Sequence, residues 1–191
     1  VLAPKSKADL AFTMHMLSWL AVDGTAAIVE FPGVLYRGAA EAKIRQYLVE
    51  NNYIDAVIQL PADLFFGTTI GTCIIVFKKS KQDNSVLFVD ASKQFVREGN
   101  KNKLSAENQE MILETLAKRA DVDHVAALVG ADAIRENGFN LSVSSYVEAE
   151  DTREEVDIVE LNARIKEIVE RQAVLRASID EIVADLEGGA R

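Results

Sequence analysis

The sequence is poor in the residues that form disulfides and metal centres. Its 191 residues include one cysteine, Cys73, and two histidines, His15 and His124. A single cysteine excludes an internal disulfide and is in keeping with a reducing compartment, so we expect a cytoplasmic protein in which Cys73 is a small core residue. Neither histidine has a partner at the spacing of a metal site or a catalytic triad, so we expect no metal ion.

Long apolar runs and an excess of basic charge are also lacking. No apolar stretch is long enough to cross a bilayer, so we expect no membrane. The first residues lack both an initiator Met and the apolar centre of a signal peptide, which indicates a sequence that starts within a longer protein. The net charge is −9. Phosphate contacts supply much of the affinity of DNA-binding proteins, so we expect the chain alone to bind DNA weakly.

The composition that remains, with 49% hydrophobic and 27% charged residues, is that of a globular protein. Ser6 to Asp9 resembles a capping box, which predicts a helix that ends near Gly24. The apolar run at 26–31 predicts a strand buried on both faces. A helix is predicted at 39–51. Its pattern places three residues inward (Ile44, Tyr47 and Leu48) and three outward (Glu41, Lys43 and Arg45).

The middle of the chain predicts the rest of an α/β fold. Apolar runs predict strands at 54–60, 72–78 and 86–90. The order of these elements indicates a sheet that finishes with antiparallel strands and that needs further strands before residue 1, or else has a large exposed edge. The polar stretch 91–103 is predicted to be a loop. A helix capped by Ser105 is predicted at 104–119, followed by a less regular segment, 121–147, with a turn at Asn137-Gly138.

The tail carries a regular apolar seam, with spacings that alternate between three and four residues. Eight of its nine positions are apolar and Gln172 is polar. This period is typical of a coiled coil, and a lone helix would expose it to water, so we expect it to pack against a partner. The apolar positions are Ile158, Leu161, Ile165, Ile168, Leu175, Ile179, Ile182 and Leu186.

Five stretches resemble, in order, segments of the modification (methyltransferase) subunits of type I restriction-modification systems. They are PKSKADLAF (4–12), PGVLYRGAAEAKIRQYL (32–48), LPADLFFGTTIGTCIIVFKK (60–79), VLFVDAS (86–92) and GFNLSVSSYV (138–147). The resemblance implies the C-terminal half of a Rossmann-like sheet of an S-adenosylmethionine-dependent methyltransferase, followed by an α-helical tail with a coiled-coil-like helix. We accordingly expect three parts: 1–120 in the catalytic domain, a connecting region at 121–155, and a packing helix at 156–187.

The same resemblance implies transfer of a methyl group from S-adenosylmethionine to adenine N6 in DNA. The Gly-rich cofactor loop and the Asn-Pro-Pro-Phe motif of the family do not occur in this chain. We therefore expect no catalytic residue here, no cofactor bound to the chain alone, and no activity without the rest of the subunit. The implied partners are the DNA-specificity subunit, the restriction subunit and DNA, with self-association of the isolated chain through its last helix as a further expectation.

The stretch Leu64–Thr69 resembles the loop from which an aromatic residue of related adenine methyltransferases stacks on the flipped target base. Phe65 and Phe66 are the candidates. Adjacent residues of an extended chain point in opposite directions, so one is expected in the core and one outside, with Phe66 favoured because Gly67 leaves its face open. The alternative is that both are core aromatics that anchor the loop.

Several basic residues are candidates for contact with DNA. Arg37 follows a strand in a glycine-containing loop, and we leave open a phosphate contact or an ion pair that orders the loop. Lys43 and Arg45 are interpreted as a solvated helix face. A polar segment contains Lys93, Arg97, Lys101 and Lys103, which either are solvated or contact DNA or the specificity subunit.

A protein of another class would also account for the missing catalytic motifs. It would be a non-enzymatic interaction module, made of an α/β platform with a coiled-coil arm. The sequence that precedes Val1 in the intact protein distinguishes the two, since the methyltransferase requires its Asn-Pro-Pro motif there.

Overall fold

A computed structural model describes residues 2–150 and 157–188, with side chains up to residue 186. They fall into two units, one within 1–150 and one within 151–191. Residues 151–155 of the predicted connecting region, and residue 156 at the predicted start of the tail helix, lie outside the described residues. The helices are α1 (Asp9–Trp19), α2 (Ala39–Glu50), α3 (Ala106–Lys118), α4 (Ala131–Glu136) and α5 (Ile158–Gly188), with 3-10 helices at Pro32–Leu35 and Val143–Ser145. The strands are β1 (Thr25–Glu30), β2 (Ile54–Gln59), β3 (Cys73–Lys78), β4 (Ser85–Asp90), β5 (Val96–Glu98), β6 (Lys101–Lys103) and β7 (Ala126–Gly130).

The first unit is built on a mixed five-stranded sheet in the order β1-β3-β2-β4-β7. β3 lies antiparallel between β1 and β2, so these two strands run in the same direction. β2 and β4 are parallel, and β7 is antiparallel to β4. The predicted antiparallel strands at the end of the sheet are therefore confirmed. The carboxyl ends of β1, β2 and β4 all lie at one edge of the sheet, where ligands of open α/β sheets bind.

Apolar side chains cover both faces of this sheet. Strand β2 is buried from Ile54 to Ile58, so it lies at the centre. On one face Val57 and Phe77 pack with residues of α1, α2 and α4, including Leu10, Leu48 and Ile134. On the other face Ala56, Ile58, Leu87 and Val89 pack with Ile112 of α3. The alternation of side chains along each strand divides the core into these two clusters.

Three predictions about the first elements are wrong. The strand at 26–31 was expected to be buried on both faces, whereas β1 alternates between exposed and half-buried positions until Glu30. The reason is that β1 is an edge strand of the described sheet. The capping box at Ser6 does not form either, because α1 is preceded by Ala8 and has no side-chain cap. The helix also ends at Trp19, before Gly24.

The predicted connecting region is also wrong for residues 121–150, which belong to the sheet unit. Strand β7 pairs with β4 along its length, with Leu128 opposite Leu87. Ile134, Leu141 and Val147 are buried in the core. The segment appears irregular in sequence because its strand, short helix and 3-10 turn are each too short for a clear period. The Asn137-Gly138 turn directly follows α4, with Gly138 at a φ of 62°.

The second unit consists of α5, whose 31 residues include the whole predicted seam. Every side chain described from 157 to 186 is exposed. The carboxylate of Asp157 caps the helix start, where it accepts hydrogen bonds from the amides of Val159 at 2.8 Å and Glu160 at 3.3 Å. No helix in the described part of the chain has the length and apolarity to cross a membrane.

Candidate functional site

The loop between β2 and β3 presents its aromatic side chains at the carboxyl-end edge of the sheet. Phe66 is fully exposed (101%) and Phe65 is 41% exposed, so neither is a core residue. The backbone reverses at Asp63 and Gly67, which have φ angles of 57° and 81°. No atom outside residues 66–68 lies within 4 Å of the position that a Cβ on Gly67 would take. The space beside Phe66 is therefore open, as expected from the glycine.

Hydrogen bonds hold the two ends of this loop, at Leu60 and Thr72, close together. The amide of Leu60 donates to the carbonyl of Thr72 at 2.8 Å, and the side chain of Gln59 donates to the same carbonyl at 3.1 Å. Gly71 packs closely against the other end of the loop, since a Cβ there would lie 3.2 Å from the carbonyl oxygen of Leu60. The two ends of the loop are thus fixed to the sheet.

A hairpin of β5 and β6 lies where the sequence predicted a solvated loop at 91–103, so that prediction is wrong. Asn102 joins the hairpin to the aromatic loop, since its backbone amide donates to the carbonyl of Asp63 at 3.0 Å and its side chain to that of Ala62 at 2.9 Å. The hairpin is three residues long on each side and its β5 residues are exposed. Such short polar strands have no apolar alternation, which is why the sequence pattern missed them.

The basic residues of this segment make contacts within the protein. The Lys101 ammonium donates to the carbonyl of Thr68 at 3.0 Å and lies 3.9 Å from Asp63. Arg97 lies 3.6 Å from Asp63, and Lys103 lies 2.9 Å from Glu98. Lys93 and Glu150, both well exposed, are 4.0 Å apart. Contact of Lys101 and Lys103 with DNA stays a prediction. Their partners within the protein would compete with DNA phosphates for these two ammonium groups.

Arg37 lies at the same edge of the sheet, in the turn after β1. Its guanidinium is 3.5 Å from the carboxylates of both Asp9 and Glu41. It also covers Gly33, where a Cβ would come within 2.5 Å of the guanidinium, so a side chain at this position would displace Arg37. Of the two interpretations left open by the sequence, this geometry favours the ion pair that orders the loop. The Arg37 side chain retains 33% exposure.

Arg45 and Glu41 were predicted to face solvent, and both are buried. Arg45 is 3% exposed and donates to the carbonyls of Val34 at 3.0 Å and Phe139 at 2.9 Å. Burial lowers the pKa of Arg45, and the Glu41 carboxylate opposes this shift. Arg45 thus ties α2 to the turn after β1 and to the turn after α4. Lys43 is exposed as predicted.

Sequence reasoning missed Glu30, at the carboxyl end of β1. Its carboxylate is buried and accepts a hydrogen bond from the hydroxyl of Thr13 at 3.0 Å. Burial raises the pKa of Glu30, while the Thr13 hydrogen bond opposes the shift. The available signal was a charged residue that ends an apolar run. Cys73 is fully buried, as predicted, and burial raises its pKa to about 12.

The histidines have no catalytic or metal-binding neighbours in the residues that the structure describes. His15 lies beside Trp19 with their ring centres 5.0 Å apart, and the Nδ1 of His124 is 3.0 Å from the carbonyl of Glu148. Across 2–150 and 157–188, no group of three His, Cys, Asp or Glu residues is arranged to hold a metal ion.

The mixed sheet, its flanking helices and the aromatic loop at its carboxyl-end edge are in keeping with the resemblance to methyltransferase subunits. The family model for N-6 DNA methylases matches residues 1–155, and the chain belongs to this family. The methylase subunit of the type I restriction enzyme MpnII from Mycoplasma pneumoniae is 47% identical over 97% of this chain and 34% of its own length. That of MjaVII from Methanocaldococcus jannaschii is 31% identical over 97% of this chain and 32% of its own length.

A solved structure shows the same fold. The type I restriction-modification methyltransferase subunit from Streptococcus thermophilus superposes with a TM-score of 0.76 and 45% identity, over 77% of this chain and 32% of that chain. The chain spans about a third of the length of the curated relatives it matches. The resemblance to modification subunits of type I systems is thereby confirmed.

Proposed function

We propose that this chain is the C-terminal part of a modification subunit that methylates adenine N6 in DNA, and that it contributes the loop that holds the target base. The observation that carries the proposal is the fully exposed Phe66 on a fixed loop at the carboxyl-end edge of the sheet. An enzyme that flips a base needs a flat apolar surface to receive it, and an exposed aromatic ring on a fixed loop provides one.

Stacking of a base on an aromatic side chain contributes about 1–3 kcal/mol. That energy offsets part of the cost of unstacking the adenine from the duplex, which is a few kcal/mol. Phe66 is the stronger candidate because its ring is wholly exposed, whereas Phe65 is partly covered by the protein.

We propose that the described residues of this chain do not form a cradle for S-adenosylmethionine. In the family the cofactor lies against a Gly-rich loop, but the turn after β1 contains a single glycine before Gly38, and the guanidinium of Arg37 fills the space over that Gly33. We propose that the intact subunit uses S-adenosylmethionine through residues outside this chain. This chain alone would neither bind the cofactor nor transfer a methyl group.

The free edge of β1 is the proposed junction with the rest of the catalytic domain. Within the described residues β1 pairs only with β3, so its other edge has unpaired backbone groups. Apolar side chains are exposed on β1 and on the helix before it, among them Val29, Phe12 and Trp19. A further strand and its flanking layer would cover both, in agreement with the sheet being too small by itself.

The seam on α5 is the proposed surface for partner helices. All eight apolar seam residues are between 46% and 71% exposed. Val169 and Val183, which follow a seam position by one residue, are exposed as well and widen the apolar face. A face of this width is typical of a helix that contacts two neighbours in a bundle rather than one.

The charges beside the seam indicate the chemistry of that partner. In the heptads the positions that flank the seam carry Arg164, Arg171 and Arg176 but only one acid, Asp185, although the rest of the helix surface is mainly acidic. A parallel second copy in register would place Arg171 against Arg176. We therefore propose a hetero-partner with acidic flanks, the helices of the specificity subunit, in preference to a second copy. The exposed seam also favours the alternative function, that of a non-enzymatic interaction module with a coiled-coil arm.

The methyltransferase proposal is tested in the assembled complex of full-length modification and specificity subunits. Methylation of unmethylated genomic DNA with radiolabelled S-adenosylmethionine requires no knowledge of the recognition sequence. We expect Phe66→Ala to lower the methylation rate about 10- to 100-fold, since 1.4 kcal/mol of lost stacking corresponds to tenfold. Cofactor affinity, measured by calorimetry, is expected to stay unchanged.

Phe65→Ala is the matched control. It removes the same ring from the partly covered neighbour, so we expect a lower melting temperature and a smaller loss of rate. Full activity in both variants would overturn the base-stacking role. Loss of rate in Phe65→Ala alone would show that Phe65, and not Phe66, makes the base contact.

A further inference from the structure

We propose that the β5–β6 hairpin is a clamp that positions Phe66, with Asn102 as its main positioning residue and Lys101 as its second. The inference rests on the proposed role of Phe66 and assigns to these two residues the task of holding the loop in one conformation. Neither is expected to touch the base.

Asn102 contacts the loop through its backbone amide and through the Nδ2 of its side chain. It is 9% exposed, and its Nδ2 donates to the carbonyl of Ala62 at 2.9 Å while its backbone amide donates to the carbonyl of Asp63 at 3.0 Å. Its Oδ1 accepts a hydrogen bond from Arg97 at 3.0 Å. A buried amide satisfied in this way specifies one geometry, because any shift of the loop leaves polar groups unpaired.

Lys101 holds the loop on the other side of Phe66. Its ammonium donates to the carbonyl of Thr68 at 3.0 Å. The hairpin thus fixes the backbone before the aromatic pair, at Ala62 and Asp63, and after it, at Thr68. Asp63 adds a charge link, since its carboxylate lies 3.6 Å from Arg97 and 3.9 Å from Lys101.

The tip of the loop needs anchors in addition to the hydrogen bonds that fix its two ends. The Phe66 ring is fully exposed, and Gly67, with its positive φ, has more conformational freedom than any other residue type. Without polar anchors the ring would sample many positions, and each binding event would bear the cost of ordering it. Anchoring the backbone on both sides leaves the ring free to meet the base while its location is already fixed.

The test uses the same complex and the same methylation assay. We expect Asn102→Ala to lower kcat about tenfold and to leave the KM for S-adenosylmethionine unchanged. Asn100→Ala is the matched control, since it makes the same change in the turn of the hairpin at an exposed residue with no side-chain hydrogen bond among the described residues. Equal activity of the Asn102→Ala variant and the wild type would overturn the clamp.

A double-mutant cycle separates positioning from a general loss of structure. If Asn102 acts through Phe66, the Phe66→Ala/Asn102→Ala variant is expected to be no slower than Phe66→Ala alone. Additive losses would show that Asn102 supports something else and would overturn the proposal. If Phe66→Ala is fully active, the base-stacking proposal itself fails. If Phe66→Ala is slow and Asn102→Ala is not, only the clamp fails.

Lys101→Ala keeps the proposal testable if Asn102→Ala does not fold. We expect a loss of rate about threefold, together with faster cleavage by chymotrypsin after Phe66. For the cleavage measurement, made without DNA, Lys103→Ala is the control, because Lys103 pairs within the hairpin with Glu98 at 2.9 Å. Equal cleavage rates in the two lysine variants would contradict a holding role for Lys101.

Discussion

The aromatic loop and the α5 seam both expose apolar side chains, but they differ in what surrounds them. Around Phe66, hydrogen bonds from Asn102 and Lys101 fix the loop backbone, so residues of this chain hold the loop in place. Along α5, every described side chain from 157 to 186 is exposed, and the seam has no comparable support in its own unit.

This difference indicates what each surface is for. A fully exposed ring on an anchored loop is suited to a small flat ligand that arrives briefly, since the protein has ordered the loop in advance. A long exposed stripe at the coiled-coil period is suited to a permanent partner, because its burial drives association. Variants that act on one surface should therefore leave the other intact.

The largest expected effect is on assembly through α5. Changing both Ile168 and Ile179 to Asp is expected to abolish complex formation with the specificity subunit, since burial of each side chain contributes about 1.5–3 kcal/mol and a buried carboxylate costs more. Sedimentation measures assembly, and circular dichroism checks that the sheet unit remains folded.

The control for this variant is the same double change at Val159 and Val174. Both valines are exposed, at 77% and 66%, and both lie off the seam. We expect this control to assemble normally. Assembly of the Ile168→Asp/Ile179→Asp variant, or its loss in the valine control, would show that the heptad seam is not the contact surface.

The next effect is confined to the sheet unit and concerns Arg45. Arg45→Ala leaves the carbonyls of Val34 and Phe139 without their donor and opens a cavity, so we expect a loss of about 3 kcal/mol in the free energy of unfolding. Lys43→Ala, on the exposed side of the same helix, is expected to change it by less than about 0.5 kcal/mol. Urea unfolding measures both. Similar values would mean that the buried hydrogen bonds of Arg45 are not important for stability.

The contrast between Lys43 and Arg45 also shows which buried residues helical periodicity cannot predict. Helical periodicity placed Ile44 and Leu48 in the core correctly, because apolar residues have one favourable environment. It placed Arg45 on the surface because charged residues are rarely buried without partners. Its partners are two backbone carbonyls from distant turns, 11 and 94 residues away. Such partners have no signature in the sequence.

Strands were recognised from the sequence only where their apolar runs are long. The apolar runs of β2, β3 and β4 are long enough to be recognised, whereas β5, β6 and β7 have five residues or fewer. The exposure of β1 could not be inferred from its composition, since burial depends on which strands lie beside it. For the site, the loop and its glycine were predicted from the family resemblance, but the hairpin that holds the loop was not.

The smallest expected effects are at the two helix caps, which compare the units directly. Ser105 forms a full capping box with Asn108 at the start of α3, a cap that the sequence predicted. Ser105→Ala is expected to lower the free energy of unfolding of the sheet unit by about 1 kcal/mol, because α3 packs on the core and the cap energy is shared with the whole unit.

Asp157→Ala removes the corresponding cap of α5, but there the helix has no core in its own unit. We expect only fraying of its first turn, measured as a small loss of helical circular dichroism in the isolated chain, with no change in urea unfolding of the sheet unit. Assembly should suppress even this fraying, since the partner would hold Ile158 and Leu161. A cooperative loss of stability of the sheet unit in the Asp157→Ala variant would show that the two units fold as one, and would remove the distinction between them.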